Sequence, residues 1–556
     1  MPIIPTYSDI FGCKPTLNEL INIIKQASVF EWQSFLSRMQ SIIGADQFDN
    51  QENQLAVFNG CFSKRLKKSI LDFVKKNTPS ERLYICYERQ LSTLQQLVFL
   101  HAPDVGRGSF DDEKERDKLG IALLMTLDLM DANVERADNS SIVASVIQQQ
   151  TRMAQTPYWV YFARAIMFYE LDNDQPNNSI KEYLSLFRKA VNVDHFDHIM
   201  GGLVIAAHEI TRSIEQQASA WHSVTLSKKR KNIIENRMVS AFEKIRCATL
   251  SEIRKSILKF ENDLSISDWN LISLYRFPLV TFPQKGTFIV NLTSLGRSLF
   301  DGVRHSILTA ALAKHLPDDF NSPERLGGLY GQLFERYIMR LLETAFGDRV
   351  IKISESDFPG NADCLINFPG KVLVVEIKSE HFVAAQHYKL MNIQERRSEI
   401  ENAGVQKGIR QIESTIRRLR NFTLKPPGLP SYDWTITSII PVMITEEHLP
   451  LFPLCWKFLY NEIEKPLRSL QDGSGQVGRL RILSIEDVEL IPSLTINIDF
   501  ATLLLQWGNG TDKFEYTFRN YLNSCDYHFS NDFMRGNWDK EFKLFAIKLG
   551  FDPSLF

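Results

Sequence analysis

The 556-residue chain has few cysteines, and no two of them form a C-x-x-C pair. Seven cysteines are too sparse for a disulfide framework. Residues 1–6 have neither a basic flank nor an apolar core, so no signal peptide is predicted. No run reaches the roughly 18 apolar residues of a membrane span, and the best candidate, around 121–130, is interrupted by Thr126 and Asp128. We therefore expect a soluble, cytoplasmic protein with free thiols.

The chain also has no excess of charge of either sign. Its 64 basic and 66 acidic residues give a formal net charge of −2, which by itself predicts no partner. There is no G-x-x-x-x-G-K-[ST] phosphate loop and no G-x-S-x-G nucleophile motif. A G-x-G-x-x-G match at 473–478 precedes a strand-like run instead of a helix, which favours a flexible loop over a dinucleotide site.

Proline is scarce between 104 and 277, where only Pro157 and Pro176 occur. Apolar residues in this region recur at helical spacing, as in 123–130 and 180–187, which predicts long helices. His195 and His198 have no further metal ligands nearby, so a helix boundary capped by aspartate is the favoured interpretation. Basic clusters lie at 64–68, 75–76 and 228–231, and both a solvated helix face and a nucleic-acid contact remain open for them.

The pattern changes near residue 270, where two strand-like runs in 277–291 flank a short turn. Beyond 316, β-rich runs alternate with helical ones, and the runs lie at 349–353, 362–367, 371–378, 434–445 and 479–485. Such alternation is typical of an α/β layered domain. We predict a multidomain protein: an all-α helical recognition or assembly domain over 1–265, a connecting hairpin and helix over 266–320, and an α/β domain with a C-terminal helical extension over 321–556.

Two acids and a lysine are brought together by a predicted hairpin over 361–378. Pro369-Gly370 marks its turn, and alternation along the second strand places Glu376 and Lys378 on one face. Asp363 begins the partner strand, where its carboxylate approaches Glu376. Two converging carboxylates supply the oxygen ligands that a hard divalent cation such as Mg²⁺ prefers. A neighbouring lysine can position an attacking water and offset the negative charge that grows on phosphorus. The pattern predicts metal-assisted phosphodiester hydrolysis.

Two predicted helices flank this hairpin. On the upstream helix, 324–346, the helical angle places Glu335 close to Leu342, so we expect this carboxylate to face inward as a third acid. The downstream helix, 395–421, is long and polar. Two interpretations of this helix are equally open, a phosphate-binding surface and a solvated outer face. The candidate contacts to nucleic acid are Gln406, Lys407, Arg410, Gln411 and Arg417.

These residues resemble the PD-(D/E)XK nuclease superfamily over roughly 320–450, with Ala362 in place of the proline of the motif. The resemblance implies a restriction-endonuclease-like fold, in which a mixed central sheet is flanked by helices. It also implies Asp363 and Glu376 as metal ligands, Lys378 at the catalytic water, and Glu335 as the acid of the first core helix. Either Gln406 or Gln411 occupies the helix position where some branches carry glutamine.

We therefore expect a metal-dependent endonuclease that uses Mg²⁺, with Mn²⁺ as an alternative, and cuts DNA, which this family mostly does. A role in bacterial restriction or antiphage defence fits the large helical region. An RNA-cutting or recombination-linked nuclease and a non-catalytic binding module stay open as alternatives. Because such a nuclease needs restraint, we expect a protein partner, self-association or a bound ligand at the helical domain, and no membrane partner.

Overall fold

The computed structural model describes residues 5–45, 51–77, 83–105, 110, 113–131, 156–171, 176–215, 233–261, 271–283, 285–320, 322–353, 358–379, 405–430, 433, 437–446, 464–471, 477–494, 499–507, 518–525 and 531–548. Over these ranges the chain is mostly helical and contains two mixed sheets. None of the described helices is both long enough and apolar enough to cross a lipid bilayer.

The first half is built from helices, as predicted. They are α1 (Tyr7–Phe11), α2 (Leu17–Ile24), α3 (Val29–Ile43), α4 (Gln51–Cys61), α5 (Lys64–Asn77), α6 (Glu88–His101), α7 (Glu113–Asp131), α8 (Tyr158–Phe168), α9 (Asn178–Val191), α10 (His195–Glu215), α11 (Ile233–Arg246) and α12 (Leu250–Glu261). Side-chain caps start several of them; the Thr16 hydroxyl, for example, accepts a hydrogen bond from the Glu19 amide at the start of α2. The apolar stripes predicted on α7 and α9 are buried.

A small three-stranded sheet has strands on both sides of α12 in the chain and contains the hairpin predicted near 280. Helix α13 (Ile272–Arg276) leads into β2 (Leu279–Phe282), which pairs antiparallel with β3 (Gly286–Ile289). A third strand, β1 (Cys247–Thr249), joins β2 in parallel. The sequence did not indicate β1, because it is three residues long and lies directly between α11 and α12.

The second sheet has five strands in the order β4-β5-β6-β7-β8. Helix α14 (Leu292–Leu312) and helix α15 (Pro323–Phe346) precede β4 (Val350–Lys352), β5 (Cys364–Phe368) and β6 (Lys371–Lys378). These three strands are antiparallel, whereas β7 (Ser438–Thr445) and β8 (Arg481–Ser484) continue the sheet in parallel with β6. The predicted strands in this region are therefore confirmed, as is the mixed character of the sheet.

Helices cover both faces of this sheet. Helix α16 (Val405–Arg420) lies on one face together with α17 (Lys465–Gln471), and α15 lies on the other. The chain ends in α18 (Ile485–Val488), α19 (Ile491–Leu494), α20 (Phe500–Gln506), α21 (Phe518–Ser524) and α22 (Asp532–Lys548). Two 3-10 turns, Asp318–Phe320 and Gly347–Arg349, flank α15. Of the G-x-G-x-x-G match, Gly478 donates its amide to the Ile439 carbonyl, and 473–476 lie outside the described residues.

The hydrophobic core has two large clusters. One joins α2–α7 to α12 and one face of the small sheet. The other runs from α8 through α14 and α15 to one face of the five-stranded sheet and on to α22, so helices from the first half pack directly on the second. The boundaries at 265 and 320 stay predictions.

His198 is buried in this second cluster, on α10. Asp194 caps the helix by accepting hydrogen bonds from the Phe196 and Asp197 amides, as the sequence predicted. The His198 ring packs between Phe187 and Phe242, and among the described residues neither ring nitrogen has a hydrogen-bond partner. Burial, with a smaller effect from the Arg246 charge, lowers the pKa of His198 well below its usual value.

This lowered pKa predicts acid sensitivity. Folded His198 stays neutral while unfolded His198 binds a proton below pH about 6.5, so the free energy of unfolding falls by up to about 1.4 kcal/mol per pH unit below that value. We expect His198→Leu to lose less stability than the wild type between pH 7.5 and 5.5, measured by urea unfolding. The matched control is His315→Leu at an exposed position, and equal pH dependence of the wild type and His198→Leu would contradict the prediction.

Candidate active site

Strand β6 presents its predicted faces to different helices. Leu373, Val375 and Ile377 pack into the cluster that contains α15, whereas Val374 packs with α16. Glu376 and Lys378 share the face of Val374, so both stand on the α16 side of the sheet. The Pro369-Gly370 turn joins β5 to β6, and Gly370 has φ +66°, a conformation that favours glycine. The hairpin prediction is confirmed.

Asp363 lies opposite Glu376, just before β5. Cys364 is paired with Val375, so the preceding residue, Asp363, comes opposite Glu376. The Asp363 amide also donates a hydrogen bond to the Val375 carbonyl (3.0 Å). The Asp363 Oδ2 atom accepts a hydrogen bond from the Ile377 amide (2.7 Å), which fixes the carboxylate beside β6. The structure therefore brings the two predicted acids together, and Asp363 stays half-buried.

Glu376 has no solvent exposure. Its Oε1 atom pairs with the Lys378 ammonium, and among the described residues no group donates a hydrogen bond to Oε2. Burial, followed by the negative charge of Asp363, raises the pKa of Glu376 to about 8, against the opposing effect of Lys378. An added positive charge near Glu376 would stabilise the ionised form of this carboxyl group.

A chain of hydrogen bonds connects Lys378 to helix α16. The Lys378 ammonium donates to Gln411 Oε1 (3.1 Å), and Gln411 Nε2 donates to the Asn361 carbonyl (3.0 Å). One turn further along α16, Thr415 Oγ1 accepts from the Ala362 amide (2.7 Å). Helix α16 therefore positions both the lysine and the segment that leads into Asp363.

Gly408 lets α16 approach the acid-bearing strand closely. A Cβ atom built at Gly408 comes within 3.0 Å of Met443 Cε, 3.1 Å of Glu376 Cγ and 3.2 Å of Lys378 Cε. These separations are shorter than ordinary van der Waals contact, so a larger residue requires the two site side chains to move. Glycine lowers the intrinsic stability of a helix, and the close packing against β6 explains its presence at this position.

The expectation that Glu335 faces inward is wrong. Glu335 is exposed on α15, because the buried stripe of that helix is centred on Tyr330, Leu333 and Tyr337 and has Leu342 only at its margin. Glu335 instead lines a cavity of about 620 Å³ that Asp363 also lines. The negative charge of Glu335 raises the pKa of Glu376, but less than burial or the charge of Asp363 does.

The residues predicted to contact nucleic acid occupy different environments on α16. Lys407 and Arg410 are exposed and Gln406 is half-exposed. Gln411 is engaged with Lys378, so of the two glutamines it is the one that the structure places at the site. Arg417 pairs with Glu413 (2.8 Å) and donates to Ser469 on α17. Residues 395–404 of the predicted helix lie outside the described residues.

No three Asp, Glu, His or Cys side chains form a ready metal-binding group in the parts of the chain that the structure describes. The structure brings the carboxylates of Asp363 and Glu376 together on the hairpin, and Glu335 lines a cavity with Asp363. Metal binding by these residues stays a prediction. Comparison with protein-family models, with curated proteins and with solved structures finds no match for this chain.

Sequence reasoning missed three residues of the site: Asn361, Gly408 and Thr415. Gly408 had a readable signal, since a glycine in the interior of a predicted helix indicates close packing. The i, i+4 spacing of Gln411 and Thr415 puts both on one helix face, but only the folded structure shows that this face meets residues 361–362.

The close approach at Gly408 predicts that bulk there damages the site. We expect Gly408→Val to displace Glu376 and Lys378 and to destabilise the protein by about 1–3 kcal/mol, as overpacking does. Thermal unfolding measures the stability, and the activity proposed below measures the site. The control is Gly536→Ala on α22, where an added Cβ meets nothing within 4 Å. Wild-type stability in Gly408→Val would contradict the close packing.

Proposed function

We propose that the protein is a metal-dependent nuclease that hydrolyses phosphodiester bonds in DNA. The observation that carries the proposal is the fully buried Glu376 carboxylate, which lies opposite Asp363 and is paired with the Lys378 ammonium. A fully buried carboxylate that has one ion-pair partner, and whose Oε2 atom accepts no hydrogen bond from the described residues, is costly to a fold, so its position favours a chemical role.

The donor set fits a hard divalent cation. Glu376 Oε2 is buried without a hydrogen-bond donor among the described residues, and Asp363 adds a second carboxylate beside it. Asp363 and Glu376 would hold Mg²⁺, or Mn²⁺ in its place, because such ions prefer oxygen ligands and need only one or two carboxylates. When bound, the ion supplies Lewis acidity and lowers the pKa of a coordinated water.

The side chains around the acids have separate roles in this proposal. The Lys378 ammonium orients the attacking water and offsets the negative charge that grows on the phosphate. Gln411 holds the ammonium in place through its Oε1 atom. The Ile377 amide keeps Asp363 turned toward the site. The contacts of Gln411 with Lys378 and of the Ile377 amide with Asp363 support the positioning roles proposed for them.

The sheet supports a restriction-endonuclease-like fold as part of the proposal. A mixed sheet with helices on both faces, and with the acids on a central hairpin, is what the PD-(D/E)XK resemblance implies. DNA as the substrate, and a role as an effector of restriction or antiphage defence, rest on analogy with that family.

Cleavage of plasmid DNA tests the proposal. We expect nicking or linearisation with Mg²⁺ or Mn²⁺, none with chelator, and at least a roughly 10²-fold slower reaction for Lys378→Ala, which lacks the charge that stabilises the transition state. Asp363→Asn, which keeps an oxygen for the Ile377 amide, should be equally slow. Matched RNA and single-stranded DNA substrates measure the preference for duplex DNA.

Lys371→Ala is the matched control for that experiment. Lys371 lies on the same strand as Lys378 but at its other end, where it pairs with the partly exposed Asp499 (2.8 Å). Its loss should cost at most about 1 kcal/mol of stability and leave the rate unchanged. Equal cleavage by the wild type and folded Lys378→Ala would refute the proposed chemistry.

A second prediction concerns Glu376 and metal binding without catalysis. The pKa of Glu376 is higher in the folded protein than in the unfolded chain, so the free energy of unfolding of the wild type falls as pH rises above about 4.5. Glu376→Gln removes this ionisable group and should therefore stabilise the metal-free protein at pH 8.

Mg²⁺ at about 100 times its Kd should stabilise the wild type by about 2.7 kcal/mol, and the variant by much less. Thermal unfolding with Mg²⁺ and with chelator measures both effects, and an equal metal-induced shift in the two proteins would exclude Glu376 as a ligand.

A further inference from the structure

Helix α5 carries a dense row of positive charge far along the chain from the candidate active site. Its sequence, KRLKKSILDFVKKN, contains six cations and one acid, Asp72. Arg65, Lys68, Lys75 and Lys76 are exposed and fall within an arc of about 100° on the helical wheel. We call these four residues the α5 basic face.

The cations of the α5 basic face outnumber the acids four to one, because the arc also contains the exposed Asp72 and no other acid of α5. None of the four forms an ion pair among the described residues, although ion pairs elsewhere join exposed side chains such as Lys352 and Glu343. The first turn of α5 contains no acid and begins Lys64-Arg65. Cations at a helix N-terminus oppose the helix dipole. At the other end of α5, Lys75 and Lys76 lie in the last turn, where positive charge favours the dipole, so the helix dipole does not account for the row of cations as a whole.

The opposite side of α5 is anchored. Ile70 and Val74 are buried in the N-terminal core cluster and lie about 180° from the basic face on the helical wheel. A helix that binds a lipid surface needs its apolar side free to enter the bilayer. Because that side is committed to the core, the exposed surface of α5 is mainly charged, with Leu71 as its exposed large apolar residue.

We propose that the α5 basic face binds the phosphate backbone of duplex DNA. Lys68 and Lys75 follow one line along the helix and are separated by a rise of about 10 Å, while Arg65 and Lys76 flank that line. Such an extended array matches a polymer with regularly spaced negative charges, and lysine and arginine contacts to phosphates give sequence-independent affinity. This surface extends the proposed function by adding a substrate contact within the helical region, and its binding requires no hydrolysis.

The test measures binding in chelator, where cleavage does not occur. Fluorescence anisotropy of a labelled 20-base-pair duplex compares the full-length wild type with the triple variant Arg65→Gln, Lys68→Gln, Lys75→Gln. Loss of three phosphate contacts should lower the slope of log K against log salt by roughly 2–3 and weaken binding at least about 10-fold. Circular dichroism checks that the variants are folded.

The control removes the same charges from another exposed helix surface. Lys181→Gln, Arg188→Gln, Lys189→Gln on α9 also replaces two lysines and one arginine at exposed positions. It should leave the affinity and the salt slope unchanged. An equal loss in both triple variants, or none in the α5 variant, would overturn the proposal, as would α5-dependent binding to phosphatidylserine vesicles without α5-dependent binding to DNA. Failure of cleavage alone would leave this binding result intact.

Discussion

The burial of one carboxylate constrains the arrangement around it. Glu376 is fully enclosed between β6 and α16, and a buried charge is tolerated only when it is paired or neutralised. The pairing comes from Lys378, whose ammonium is in turn held by Gln411. Glycine at position 408 favours the close approach of α16, because an added Cβ atom there would lie 3.1 Å from Glu376 Cγ. Strand, helix and hydrogen-bond chain therefore form one unit.

Buried ion pairs tie the region of the five-stranded sheet to α8 and α14, which precede it in the chain. Two clusters have the same composition, each with a tyrosine of α15, a glutamate and an arginine: Tyr330, Glu446 and Arg304 in one, and Tyr337, Glu489 and Arg164 in the other. The tyrosines are two helical turns apart, so one face of α15 serves both. Removing one partner of a buried ion pair typically costs about 3–5 kcal/mol. These clusters hold the sheet in a defined position against α8 and α14.

The hairpin was predictable because its signals are local. A turn dipeptide and strict alternation over 371–378 place Glu376 and Lys378 on one face whatever packs against them. The orientation of Glu335 was not predictable in this way. The helical angle between Glu335 and Leu342 does not show where the buried stripe of the helix ends. Strand β1, the Gln411 contact and the two arginine clusters depend on residues distant in sequence, and composition carries no signal for them.

The unequal burial of the two acids bears on how a substrate reaches the proposed site. Glu376 is enclosed, whereas Asp363 is half-buried and lines the cavity that also contains Glu335 and Arg336. In the proposed reaction the scissile phosphate therefore approaches from the side of Asp363, since α16 covers the other side at Gly408. Lys378 retains 19% exposure of its side chain, enough to meet solvent at the edge of this enclosure. In the proposed reaction, Glu376 holds charge inside the fold, and Asp363 meets the incoming phosphate on the open side.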